Sequence, residues 1–213
     1  MQFSLGLYTK LDMKKAGVKH ISKCDKILAR HMKRVGAFKL SSTSKIDPFE
    51  ALMSSIVYQQ LNGRAASTIL GRVIALYPKK KFPEPKDILK TSNEALRSAG
   101  LSRNKTLAVK DLAQKTLDGV VPTSKVMAKL NDEEIIERLI TIRGIGRWTV
   151  EMLLIKMGRH DVLPATDYGI RQGFKLVYKK RNLPTPKALI LYGERWRPYR
   201  TIASWYLWRV LDL

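Results

Sequence analysis

The stretch Gly144-Ile145-Gly146-Arg147-Trp148-Thr149, entered through Leu139, Ile140 and Ile142 and followed by Pro164-Ala165-Thr166-Asp167, decides how this chain is read. Its first part predicts two helices joined through glycines. Glycine permits the turn and a close approach, and the start of the second helix turns backbone N–H groups and the positive end of a helix dipole toward an anion. A phosphate fits such a site. Gly146 and Asp167 are 21 residues apart, one helix and a turn, so the second part delivers a carboxylate. A Gly-x-Gly by itself is equally an ordinary tight helix connection, and the surrounding residues have to decide.

Charge narrows the partners. The 213 residues carry 40 Lys and Arg against 18 Asp and Glu, a formal net charge of +22, which points to a polyanion. There is no long apolar run free of charges, and Lys10, Lys14 and Lys15 interrupt the start where a signal segment would be apolar. Nucleic acid is therefore expected and a membrane is not, with the protein inside the cell beside its DNA; a basic helical RNA binder is the generic alternative. Cys24 is the only cysteine, which excludes an internal disulfide and any cluster or zinc site needing several thiolates. It reads as a small helix residue.

Apolar positions recur at helical spacing and alternating strand patterns are missing, so the fold class is all-α. Asp47-Pro48-Phe49-Glu50 opens a buried helix with Phe49, Leu52, Met53, Ile56 and Val57 on one face. A second helix is expected over about 64–77, a third over about 105–117 with Gly119 closing it, and Asn131 with Glu134 forms a capping box leading into the glycine hairpin. Gly158 should end the helix after the hairpin. Pro198 should start a last helix bearing Trp205 and Trp208. The Lys-rich segment from His20 to Arg34 reads as helical and either completes the fold or extends the surface facing nucleic acid. No repeat or linker divides the chain, so residues 1–213 read as one unit of two intimate helical lobes.

Residues 139–149 resemble the helix-hairpin-helix of the DNA glycosylase superfamily, and Pro164-Ala165-Thr166-Asp167-Tyr168-Gly169-Ile170 resembles its aspartate turn. Together these fall within 131–170. Gln59-Gln60-Leu61 with Ala65-Ala66, Leu96-Arg97 through Gly100-Leu101-Ser102 to Lys105, and Glu194-Arg195-Trp196-Arg197-Pro198-Tyr199-Arg200 are similar to the 3-methyladenine branch, DNA-3-methyladenine glycosylase II. The resemblance runs from about residue 45 to the end. It implies two helical lobes with the active site in the cleft between them, and a monomer acting in base excision repair on double-stranded DNA with a flipped damaged base. Three positions depart from the pattern: Arg143 replaces a proline, Asn62 a serine, and Met152 stands where an aromatic pocket wall is allowed.

The resemblance also assigns roles. Strand-cleaving relatives carry a Schiff-base lysine two residues after the second hairpin glycine, and here that position is Trp148, implying base hydrolysis without lyase activity. Asp167 is the expected catalytic carboxylate, stabilising positive charge on the sugar and orienting water; the same position suits a helix cap. Trp148, Met152 and Trp208 are expected at the base pocket, where an aromatic face attracts a cationic alkylated purine, although both tryptophans also read as core. Gly144, Gly146, Arg147 and Thr149 are expected to hold DNA, with Leu61 as the wedge filling the gap in the stack and Gln60 beside it. No cofactor is required, and a structural Na or K ion is expected on the carbonyls of Ile140, Ile142 and Ile145. Asn62 and Met152 keep a second reading open: a non-excising binder of abasic or distorted DNA.

Overall fold

The computed structural model describes residues 10–41 and 46–213. Its helices run α1 (Lys10–Cys24), α2 (Lys26–Val35), α3 (Pro48–Tyr58), α4 (Gly63–Ala75), α5 (Pro85–Lys90), α6 (Asn93–Ser98) and α7 (Arg103–Leu117). They continue as α8 (Ser124–Met127), α9 (Asp132–Leu139), α10 (Arg147–Lys156), α11 (Tyr168–Val177), α12 (Pro186–Gly193) and α13 (Arg200–Arg209). No strand occurs among the described residues, in keeping with the all-α expectation.

The caps do what their side chains allow. Asp47 accepts the Glu50 amide at 3.0 Å with Pro48 as the first helical residue, and Asn131 and Glu134 exchange bonds of 2.9 Å each. Gly119 takes φ +77° and Val120 N–H returns to the Lys115 carbonyl at 2.9 Å, closing α7; Gly158 takes φ +89° after α10. Each such cap contributes about 1 kcal/mol.

Three boundaries differ from the sequence reading. The helix expected over 64–77 starts at Gly63, because Asn62 caps it by accepting the Ala65 amide at 2.9 Å, and it ends at Ala75. The helix expected from Lys105 starts at Arg103, because Ser102 Oγ accepts the Lys105 amide. The last helix starts at Arg200 and not at Pro198: Tyr199 is its N-cap, and Asp161 Oδ1 accepts both the Arg200 amide at 3.4 Å and its Nε at 2.7 Å.

The described residues form two units, one from 10–41 with 158–213 and the other from 46–157. In the first, α1, α2, α11, α12 and α13 enclose Ile21, Leu28, Met32, Phe174, Trp196, Tyr206 and Leu207. Asp25 is buried there. It accepts the Leu28 amide at 3.0 Å, Tyr178 Oη–H at 2.5 Å and the Trp196 indole N–H at 2.9 Å. Burial, then the bond to Asp25 and its charge, push the Tyr178 phenol far up, keeping it a donor. The Lys-rich segment therefore completes this core. Cys24 is exposed at the end of α1.

In the second unit α7 packs on α3, α5 and α6, and α10 on α9 and α3. Leu52, Met53, Ile56, Val57, Leu112, Ile135, Leu139, Val150 and Leu154 are buried, and each such side chain removed from water contributes about 1.5–3 kcal/mol. Among the described residues, no helix is long and apolar enough to cross a membrane.

Candidate active site

The hairpin is built by a buried and exposed alternation of side chains. Ile142 and Ile145 anchor it in the core of their unit, while Ile140 is exposed. Ile145 N–H closes on the Ile142 carbonyl at 3.0 Å, and Gly144 sits at φ +77°, a conformation that side chains rarely adopt. Gly146 is the N-cap of α10 and has no side-chain oxygen, so the first amides of that helix are not capped from within. Caps on α3, α4, α7, α9, α11 and α12 come from Asp47, Asn62, Ser102, Asn131, Asp167 and Thr185. The opening of α10 thus presents peptide dipoles outward.

Two expected DNA contacts are engaged elsewhere. The Arg147 guanidinium makes a bidentate pair with Glu133, both bonds 2.7 Å, and its Nε reaches Glu151 at 3.1 Å. The bonds to Glu133 raise the pKa of Arg147, and Arg147 in turn holds the Glu133 carboxyl below the ordinary range. Thr149 is buried and its amide turns back to the Gly146 carbonyl at 3.0 Å. Arg147 therefore braces the hairpin, and the outward amides lie nearer Gly146 than Thr149.

Beside the hairpin, within the same unit, is a cavity of about 1020 Å³ lined by Tyr58, Gln59, Gln60, Gly144, Trp148 and Met152 among others. Trp148 is 44% exposed although it is large and apolar. It was expected as either base contact or core; it is not core. Lys105 and Lys156 also reach this cavity, and the Lys105 ammonium donates to the Val57 and Gln59 carbonyls at 2.7 and 2.8 Å. Burial lowers the Lys105 pKa.

The turn after α3 carries the expected wedge. Gln60 takes φ +57°, a left-handed conformation that costs a non-glycine residue about 1–2 kcal/mol, and Leu61 follows it 38% exposed. Strain and an exposed leucine coincide on one turn. Asn62, the departure from the family's serine, supplies the α4 cap that a serine would supply, so the change leaves this turn intact.

Asp167 lies in the other unit. The turn before it closes through Asp167 N–H to the Pro164 carbonyl at 3.0 Å, and α13 holds the chain upstream through Thr201 Oγ1, which accepts the Val162 amide at 3.0 Å. Asp167 is the N-cap of α11, accepting the Ile170 amide on Oδ1 at 2.8 Å. The indole N–H of Trp208 donates to the same oxygen at 2.8 Å. Two glycines four apart on α11 make this pairing fit. A Cβ on Gly173 would stand 1.9 Å from the Leu207 carbonyl oxygen of α13, and one on Gly169 would meet Trp208 Cδ1 at 3.0 Å and Asp167 Oδ1 at 3.2 Å. Close crossing of α11 and α13 therefore sets Trp208 against the carboxylate. Trp208 was expected as a base contact or core residue; it is partly buried, and its polar atom orients Asp167. The Gly169 and Gly173 spacing was the signal in the sequence for that contact.

The described residues are thus helical, the glycine hairpin has no side-chain cap, Leu61 is exposed after a left-handed residue, and Asp167 is an oriented N-cap carboxylate. Residues 53–198 match the family described as HhH-GPD superfamily base excision DNA repair protein, and the chain belongs to that family. It is 38% identical over 196 residues to DNA-3-methyladenine glycosylase 1 of Schizosaccharomyces pombe, covering 91% of this chain and 86% of that protein. The solved structure of 3-methyladenine DNA glycosylase from the same yeast, in complex with abasic DNA, superposes with TM-score 0.81 at 37% identity, covering 93% and 97% of the two chains. A DNA-3-methyladenine glycosidase from Bacillus halodurans gives TM-score 0.82 at 36% identity, covering 90% and 87%.

Proposed function

We propose that this protein is a monofunctional DNA glycosylase that hydrolyses the N-glycosidic bond of alkylated purines, of the 3-methyladenine and 7-methylguanine type, in duplex DNA. The observation that carries the reading is the Asp167 carboxylate, fixed through one oxygen by the Ile170 amide and the Trp208 indole, in a chain of this family. As the bond from the sugar to the purine breaks, its electron pair leaves with the base and positive charge builds on the sugar. A preoriented carboxylate stabilises that charge and directs water, whose proton passes to the carboxylate or to solvent. An alkylated purine is already cationic and departs neutral, so no general acid is required. With Trp148 at the position where strand-cleaving relatives have lysine, and Lys105 tied to two carbonyls, the product is an abasic site in an intact strand.

Trp148 and Met152 would form the base-facing wall, Gly144, Gly146 and neighbouring amides the phosphate grip, and Leu61 with Gln60 the wedge. The neutral carbonyl oxygens of Ile140, Ile142 and Ile145 are hard donors suited to a sodium or potassium ion, which we include as structural support and not as a cofactor in the chemistry. The test is incubation of methylated duplex with wild type and Asp167→Asn. Free alkylated base should appear, and the strand should break only after alkali. Release by neither protein refutes the activity, equal release by both refutes the role of Asp167, and a borohydride-trapped adduct refutes hydrolysis without lyase chemistry.

A further inference from the structure

Helix α7 enters the roles above only through Lys105, yet three of its side chains hold both the turn after α3 and the hairpin of its unit. Lys105 binds the Val57 and Gln59 carbonyls at the end of α3, closing the strained turn that presents Leu61. Two turns along, Asp111 Oδ2 accepts the Arg143 amide at 2.7 Å and pairs with Lys115 Nζ at 3.1 Å, and Lys115 also donates to the Thr141 carbonyl. Ala108, between them, lies where a Gly144 Cβ would make contact at 3.4 Å. One face of one helix thus sets the distance from wedge turn to hairpin. Gln59 closes the circuit: its Nε2 donates to the Gly144 carbonyl at 2.8 Å, across 85 residues of sequence.

We infer that Gln59, anchored through Lys105, is a positioning residue that couples the Leu61 wedge to the hairpin grip, so that phosphate binding and base extrusion occur as one event. The inference rests on the roles proposed above for Leu61 and the hairpin. The physical case is that a wedge on a left-handed turn recoils under the restacking force of DNA unless its base is held. The Gly144–Ile145 peptide is held at its N–H by the Ile142 carbonyl, and Gln59 holds its carbonyl from the wedge side.

The test is a double-mutant cycle on affinity for a duplex carrying a tetrahydrofuran abasic analogue relative to the intact duplex, with 2-aminopurine opposite the lesion reporting unstacking. Gln59→Met keeps the side-chain length and removes the donor. In the Leu61 background it should lower lesion preference about fivefold, the effect of losing one hydrogen bond. In Leu61→Ala it should have no further effect, because the wedge it steadies is gone. Lys105→Met should behave as Gln59→Met does, and Lys105→Arg should restore both preference and fluorescence. Additive penalties, or a Gln59→Met protein equal to wild type, overturn the coupling. A wild type without preference for the abasic duplex overturns the wedge reading and the coupling with it.

Discussion

Trp208→Phe separates the two roles a tryptophan can have at this site. Phenylalanine keeps an aromatic face and most of the packing between α11 and α13, and removes only the N–H that meets Asp167 Oδ1 at 2.8 Å. A hydrogen bond to a charged acceptor contributes about 1.5–3 kcal/mol when well buried. Both residues here are only partly buried, so about 1–2 kcal/mol is the appropriate range, equivalent to roughly a five- to thirtyfold change. Asp167 keeps its cap bond to Ile170, so the carboxylate stays in place but rotates more freely. Single-turnover base release from methylated duplex should fall by that factor, while affinity for an abasic duplex and the melting temperature change little. Gly169→Ala should reproduce the kinetic defect with the tryptophan present, since its Cβ intrudes at 3.0 Å on Trp208 and at 3.2 Å on Asp167. A Trp208→Phe enzyme releasing base within about twofold of wild type refutes the claim that the indole orients the carboxylate.

Other substitutions test separate parts. Asp167→Asn retains an oxygen for the Ile170 amide, so melting should stay close to wild type while base release falls about a hundredfold; a large loss of melting temperature would mean the residue is chiefly a cap. Asp25→Ala leaves the Trp196 indole, the Tyr178 hydroxyl and the Leu28 amide without their acceptor and should cost about 3 kcal/mol or more by thermal or denaturant melting, and an unchanged midpoint would contradict it. Gly173→Ala places a methyl 1.9 Å from a backbone oxygen and should give a protein that fails to fold or melts far lower; a normal melt would show that α11 and α13 can separate. Glu133→Gln releases one arm of Arg147, and binding to intact duplex should steepen by about 0.9 in log Kd against log salt if the guanidinium then meets a phosphate. An unchanged slope would show that Arg147 stays folded onto the hairpin.

What could be read from the sequence was what depends on neighbours along the chain. Asp47, Asn131 with Glu134, Gly119 and Gly158 mark helix ends because caps act over three or four residues, and the structure places each at its boundary. Pro198 misled because a proline suits a first turn, whereas the start of α13 is fixed by Asp161, 39 residues upstream of Arg200. Asp25 went unread for the same reason: its partners Tyr178 and Trp196 are 153 and 171 residues away. Arg147 looked like a phosphate contact because charge and position agreed. The fold adds that Glu133, one helix earlier, pairs with its guanidinium.

That pairing changes how the charge of the molecule should be understood. In a chain of net +22, the arginine beside the hairpin glycines is bound to two carboxylates, so the first turn of α10 offers mainly oriented peptide dipoles. Dipoles of fixed direction attract a phosphate only in a narrow geometry and release few counterions, whereas mobile lysines act in every direction and with strong salt dependence. Exposed cations outside the hairpin, such as Lys79 and Lys81 or Arg30 and Arg34, are of the second kind. If the hairpin amides hold a phosphate and Leu61 is the wedge, the bond from Gln59 to the Gly144 carbonyl ties that directional grip to the wedge turn.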